Sequence, residues 1–193
     1  MAARGPYAKG LAKREEILAV ALEHFARKGY DRASVREIAR ESGLSQAGLL
    51  HHFSSKEELF LEVLRRRDDR DGDPVHHRHV HSIDHLIQAV EHNVTEPGLV
   101  RLFVSMSAES VDESSATRSF FESRYDWLRG ELRSDIEQRQ SRGEVSRELD
   151  PEDLASLMVA AADGLQLQWL LQPDKVDMPR RLSALWQLIS SIP

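Results

Sequence analysis

Residues 35–59 read VREIARESGLSQAGLLHHFSSKEEL. The apolar residues come in short steps, a glycine stands in the middle, and nothing in the stretch has the look of a catalytic group. Ser34 stands three residues before Glu37, a capping-box spacing, and opens a short helix from Val35 to Glu41 that stops at Ser42 and Gly43. Ser45 caps a second short helix reaching about His52. Ser55 and Glu58 repeat the capping-box spacing and start a longer helix through Leu59 and Val63 to about Arg67. Two short helices joined at a glycine predict a helix-turn-helix. Ile38, Ala39, Leu44 and Leu49 supply the apolar contacts that lock the pair at a steep angle. Ala39 has to be small where the second helix crosses it, and Gly43 accepts the backbone angles of the turn.

In such a unit the N-terminal part of the second helix enters the major groove. Here it offers Gln46, Ala47, Gly48 and His51. Gln46 can pair two ways with adenine, and Ala47 can touch a thymine methyl. Gly48 costs about 1 kcal/mol of helix stability against alanine; either it lets the backbone approach DNA closely or a small residue simply fits there. Lys56, beside the free N–H groups and positive dipole end of the next helix, suits a phosphate clamp, with an ordinary surface lysine as the alternative. Arg36 can reach a base or a phosphate.

Residues from about Glu15 to Phe60 resemble the DNA-binding head of TetR-family transcriptional regulators, through the spacing of Ala39, Gly43, Leu49, His52-Phe53 and Lys56-Glu57-Glu58-Leu59. The stretches PGLVRLFVSMSAES and DGLQLQWLL resemble the body of one large bacterial subfamily. The resemblance implies an all-α fold with a three-helix head, and DNA-facing positions at Ser34, Arg36, Gln46, Ala47, Gly48, His52 and Lys56. Two departures stand out. Leu50 occupies a position where the family usually has a tyrosine that touches phosphate or base, so that contact is lost or replaced, His51 being the nearest substitute. Gly48 replaces a usual polar residue or threonine.

The rest of the chain also reads as helix. Leu18, Ala21, Leu22 and Phe25 form one stripe ahead of Gly29. Further helices are expected from Ile83 to Val94, from Pro97 past Met106, from Thr117 to Arg142, from Pro151 to Leu171 behind the strong start signal Asp150-Pro151-Glu152-Asp153, and from Pro179 to Ser191. No stretch alternates as a strand would. Gly72 and Pro74 make the clearest break between head and body. Counted to the end of the helix-turn-helix, the DNA-binding domain is assigned to residues 1–55 and a helical ligand-binding and dimerisation domain to 56–193.

With 193 residues, 40% hydrophobic and 30% charged, the composition is that of a soluble globular protein. The absence of cysteine excludes disulfides, thiol catalysis and cysteine metal cages. The N-terminus has basic residues without an apolar stretch behind them, and no apolar run approaches the ~20 residues of a membrane span; the expected location is the cytoplasm. Residues 1–70 hold 14 Lys+Arg against 11 Asp+Glu, a balance of +3, and the remainder 12 against 21, or -9. A slightly basic head on an acidic body suits an anionic partner for the head alone.

Between Leu154 and Gln172 the only charged residue is Asp163. A helix apolar all round has to be covered all round. It is therefore expected to form a two-fold seam with the last helix through Leu154, Met158, Ala161, Leu165, Leu182, Leu185, Trp186 and Ile189, making a homodimer; a central helix in a monomer is the alternative. Phe103, Met106, Phe121, Tyr125, Trp127 and Met158 read as core or as walls of a cavity for a small, largely apolar effector, with Asp163 and Gln166 as polar anchors. The expected function is a repressor released from a near-palindromic operator by that effector. Six histidines, His76, His77, His79, His81, His85 and His92, crowd one segment. They read as a solvated linker or, alternatively, as a metal- or pH-responsive element; no complete metal motif and no cofactor are expected. A DNA-binding protein without an inducer is a further alternative. The lack of a nucleophile elbow, phosphate loop or metalloprotease motif speaks against an enzyme.

Overall fold

Helix after helix in this chain begins where a side chain accepts a hydrogen bond from an amide that the helix leaves unpaired. Ser45 Oγ accepts from Gly48 N at 3.1 Å, Ser55 Oγ from Glu58 N at 3.0 Å, and Ser82 Oγ from His85 N at 3.2 Å. Asp150 accepts from Glu152 N and Asp153 N, and Asp177 from Arg180 N. Each such cap is worth about 1 kcal/mol. The computed structural model describes residues 6–30, 32–68, 80–115 and 117–192. Among these the elements are α1 (Pro6–Lys28), α2 (Val35–Glu41), α3 (Gln46–His52), α4 (Lys56–Asp68), α5 (Ile83–Asn93), α6 (Pro97–Glu109), α7 (Arg118–Ser141), α8 (Pro151–Leu171) and α9 (Met178–Ser190), with no strand.

The chain divides into two compact units, Met1–Arg70 and Asp71–Pro193. In the first, α1 packs on α2 and α4, and α2 on α3. Because α4 buries Leu59, Phe60, Val63 and Leu64 in this unit's core, compactness places it with the head, whereas the division at 55/56 put it with the body. Phe25, Tyr30 and Phe60 form an aromatic knot with centroids 5.1–5.9 Å apart. At the α2–α3 turn, Gly43 has φ +67. Its N–H donates to Arg40 O, and Leu44 N–H donates to Ala39 O. This is a Schellman stop, whose left-handed residue favours glycine.

The two capping boxes are half-formed. Ser34 Oγ accepts from Glu37 N at 3.4 Å, yet the Glu37 carboxylate pairs with Lys28 of α1. Glu58 accepts from Ser54 N and Ser54 Oγ. Tertiary and neighbouring donors outcompete the reciprocal bond.

In the second unit α7 and α8 run antiparallel, as the pairs Tyr125–Asp163 and Arg133–Glu152 require. Ile83, Leu86 and Val90 of α5, Leu128, Leu132 and Ile136 of α7, Ala155, Met158 and Val159 of α8, and Met178, Leu182 and Trp186 of α9 share one core. The α7–α8 loop is held by buried Gln140, whose Nε2 donates to Ser146 O and Leu149 O. Arg139 pairs with Asp84 and Asp135 and lies 5.4 Å over the Trp186 ring, tying α7 to α5 and α9.

By length and composition α8 would suffice to cross a membrane, contrary to the expectation that no apolar run comes close. Here it packs on α6, α7 and α9, with Asp163 in its middle.

Candidate nucleic-acid interface

The surface of the first unit that could meet DNA is built from the exposed sides of α2 and α3 and the start of α4. Leu49 is fully buried and anchors α3. A helix turns 100° per residue, so locking Leu49 inward turns the neighbouring positions outward. Gln46, Ala47, Leu50 and His51 are all exposed; Gly48 and His52 are half-buried. On α2, Arg36 is exposed and Ser34 is a half-buried cap. The eight sequence-predicted DNA residues thus fall on two helix starts and one outward helix face.

Gly48 has an ordinary negative φ. A Cβ there would meet Ser45 Oγ at 3.3 Å and Leu44 side-chain atoms at 3.7 Å. An alanine there would need the cap serine to give by a few tenths of an ångström, a local cost that does not involve DNA.

Lys56 is the first residue of α4, with Nζ 4.4 Å from the centre of the Tyr30 ring. Tyr30 Oη donates to Glu57 Oε1 at 2.8 Å. The Glu57 carboxyl sits below the usual range because its own backbone amide and then the Tyr30 hydroxyl donate to it.

Sequence reasoning missed the residues that hold this surface in place. Lys13 Nζ donates to Ser42 O at the end of α2, and Arg14 Nη1 donates to His52 O at the end of α3, at 2.8 Å. Cations at helix C-termini are favoured by the dipole. Arg14 also lies 4.2 Å over the Phe53 ring and pairs with Glu62 of α4 at 2.8 Å. Burial works against ionisation of Glu62, but the bonds from Arg14 and Arg65 outweigh it and lower its pKa. Fully buried His24 of α1 has Nε2 2.8 Å from Glu41 of α2, and that contact is the main cause holding the Glu41 carboxyl low. Lys13-Arg14 ahead of the α1 stripe was the available signal, but its targets lie 29 and 38 residues away in the chain.

In the second unit the predicted ligand residues are all buried or half-buried. Phe103 and Phe121 are buried with centroids 5.4 Å apart, and Met106 is buried too. Met158 lies in the main core, with Tyr125 and Trp127 packed against it. Trp127 meets His81 edge-on at 6.2 Å. Tyr125 Oη donates to Asp163 Oδ2 at 2.7 Å, and burial first, then Asp163, pushes the phenol pKa up. Gln166 is buried with its Oε1 lacking a hydrogen-bond partner. Two open depressions, about 690 and 550 Å³, lie at 140–147 with Ser190–Ile192 and around Glu91, Asp177 and Arg180; neither contains any of these eight residues.

Of the predicted seam residues, Leu154, Met158, Leu182, Trp186 and Ile189 are buried in the protomer's own core. Ala161, Leu165 and Leu185 are half-buried. The exposed apolar side chains of the same two helices are instead Leu157, Leu167, Leu171 and Leu188, followed by Ile192. A helix apolar all round has two apolar faces, and only packing decides which one turns inward.

His81 Nδ1 lies 2.8 Å from Glu131, and the His81 and His85 rings are 6.4 Å apart. No group of three metal-ligating side chains occurs among the described residues. His76, His77 and His79 lie outside them.

Comparison with known proteins matches residues 17–63 to the bacterial regulatory proteins of the tetR family, and residues 83–191 to the C-terminal part of BetI-type transcriptional repressors. The transcriptional regulator TtgR of Pseudomonas putida is 29% identical over 86% of this chain and 83% of its own length. A crystal structure of a Rhodococcus sp. protein described as a TetR-family regulator superposes with a TM-score of 0.72 at 25% identity, covering 93% of this chain and 98% of that one. A Saccharomonospora viridis protein described as a transcriptional regulator, in complex with choline, gives 0.70 at 29% identity over 90% and 95%.

Proposed function

The chain belongs to the TetR family of DNA-binding transcriptional regulators, and from that premise we propose that it is a cytoplasmic homodimeric repressor released from a near-palindromic operator by a small ligand. The observation that carries this reading is the outward face of α3, where Gln46, Ala47 and His51 are exposed around a helix anchored by Leu49. Gln46 reads adenine, Ala47 touches a thymine methyl, and Lys56 with Arg36 holds phosphates. Two such heads address half-sites about 34–36 Å apart or a multiple of that spacing.

The exposed Leu157, Leu167, Leu171, Leu188 and Ile192 support pairing through α8 and α9. A run of large apolar side chains on two neighbouring helices is a surface that water disfavours and a second copy covers. The buried, unpartnered Gln166 Oε1 supports a ligand bearing a hydrogen-bond donor. Choline in the S. viridis relative supports a small ligand. Such a ligand acts by preferring the body shape that spaces the heads badly, so ligand and DNA affinities change by one coupling factor.

The test is selection of duplexes from a random pool by the purified protein, followed by challenge of the complex with small amphiphilic compounds, choline included. The expected result is one inverted-repeat site and release by at least one compound. Recovery of no preferred sequence defeats the reading.

A further inference from the structure

Leu50 is 37% exposed on a helix whose next-door Leu49 is fully buried. It stands three residues after Ala47 and four after Gln46, so it shares their face. Among the described residues of the first unit, the other large exposed apolar side chain is Leu11 of α1. Packing leaves more than a third of Leu50 open to solvent, and it sits among the groups that the proposed function turns toward base edges.

A leucine side chain neither donates nor accepts a hydrogen bond. In the major groove the apolar group on the base edges is the thymine C5-methyl. We infer that Leu50 is a specificity-determining residue that reads a thymine methyl, making with Ala47 an apolar pair beside the polar reader Gln46; this rests on the DNA-binding reading above. The preference of Leu50 is for thymine at one step of each half-site, against cytosine and against uracil, which differs from thymine by the methyl alone.

The test uses the tightest duplex recovered from the random pool by the wild-type protein, with each thymine of a half-site replaced in turn by deoxyuridine. Burying one methyl against leucine is worth about fourfold in affinity. Wild type is expected to lose about that much at one thymine beyond the one that Ala47 reads. Leu50→Ala, which removes the contact from both heads of the dimer, is expected to bind the unmodified duplex about sixteenfold more weakly and to lose nothing further at that thymine. Because part of the Leu50 side chain is covered, this variant should melt somewhat below wild type, and the affinities are compared at a temperature where both are fully folded. Equal deoxyuridine sensitivity in variant and wild type overturns the inference, as does wild-type indifference to every replacement. If the pool yields no preferred duplex, the DNA reading itself has failed and the role of Leu50 falls with it. A preferred duplex with the wrong deoxyuridine pattern sinks Leu50 alone.

Discussion

Lys56 opens α4 and its ammonium lies over the Tyr30 ring, a contact made before any DNA arrives. Cation–π contact of this kind is worth about 0.5–1 kcal/mol at an exposed site. Lys56→Ala should weaken all sequences about equally and flatten the log–log salt dependence of binding by about one unit; loss confined to one operator sequence contradicts a phosphate role. Gln46→Ala should cost about 1–3 kcal/mol and relax preference at a single base step, read by repeating the selection with the variant. Gly43→Ala places a Cβ on a residue at φ +67, which costs about 1–2 kcal/mol. Chemical denaturation should register that loss, with the same base preference in whatever remains folded. These positions were legible in the sequence because their chemistry is local: a turn glycine, a cap serine, a lysine one residue after a cap.

At the scale of elements, α1 is a clamp for the helix-turn-helix. Arg14 touches the end of α3, the Phe53 ring and Glu62 of α4 at once. Glu57, Glu58 and Glu62 all have lowered pKa values. A carboxyl whose folded pKa is depressed contributes stability that is fully present above its unfolded pKa, about 4.3, and is lost as pH falls through the folded value. The head should therefore lose stability from about pH 5 downward. Arg14→Ala, which removes a cause of the Glu62 shift, should narrow that window and start acid unfolding from a less stable state, moving its midpoint to higher pH. Circular dichroism follows the helices of the whole chain, while Trp127, Trp169 and Trp186 all lie in the second unit. Loss of helix ahead of the tryptophan fluorescence change assigns the transition to the head. An unchanged midpoint in the variant refutes the clamp.

For the whole molecule, α8 is the deciding helix. Met158 is fully buried and Leu167 is about half exposed, nine residues further along one helix. Met158→Ala should destabilise the protomer by about 2–5 kcal/mol through a core cavity. Leu167→Glu should leave the protomer folded and abolish pairing, turning a dimer into a monomer by sedimentation and weakening operator binding through loss of the second head. If Leu167→Glu sediments as wild type does, the exposed face is not the seam. The sequence announced that α8 needed cover on every side. It did not say which residues meet which cover, because with apolar groups all round, the period that normally marks an inward face is missing.

The caps at Ser34, Ser45, Ser55 and Asp150, the Gly43 stop and the outward placing of Gln46, Ala47 and His51 were legible in the sequence alone, since each depends on interactions between residues a few positions apart. Tertiary structure alone decided the grip of Lys13 and Arg14 on the ends of α2 and α3, and the burial of Met158 and Trp186 while Leu157 and Leu188 stay exposed. Those outcomes depend on helices distant in the chain competing for the same surface, and local spacing carries no record of which competitor wins.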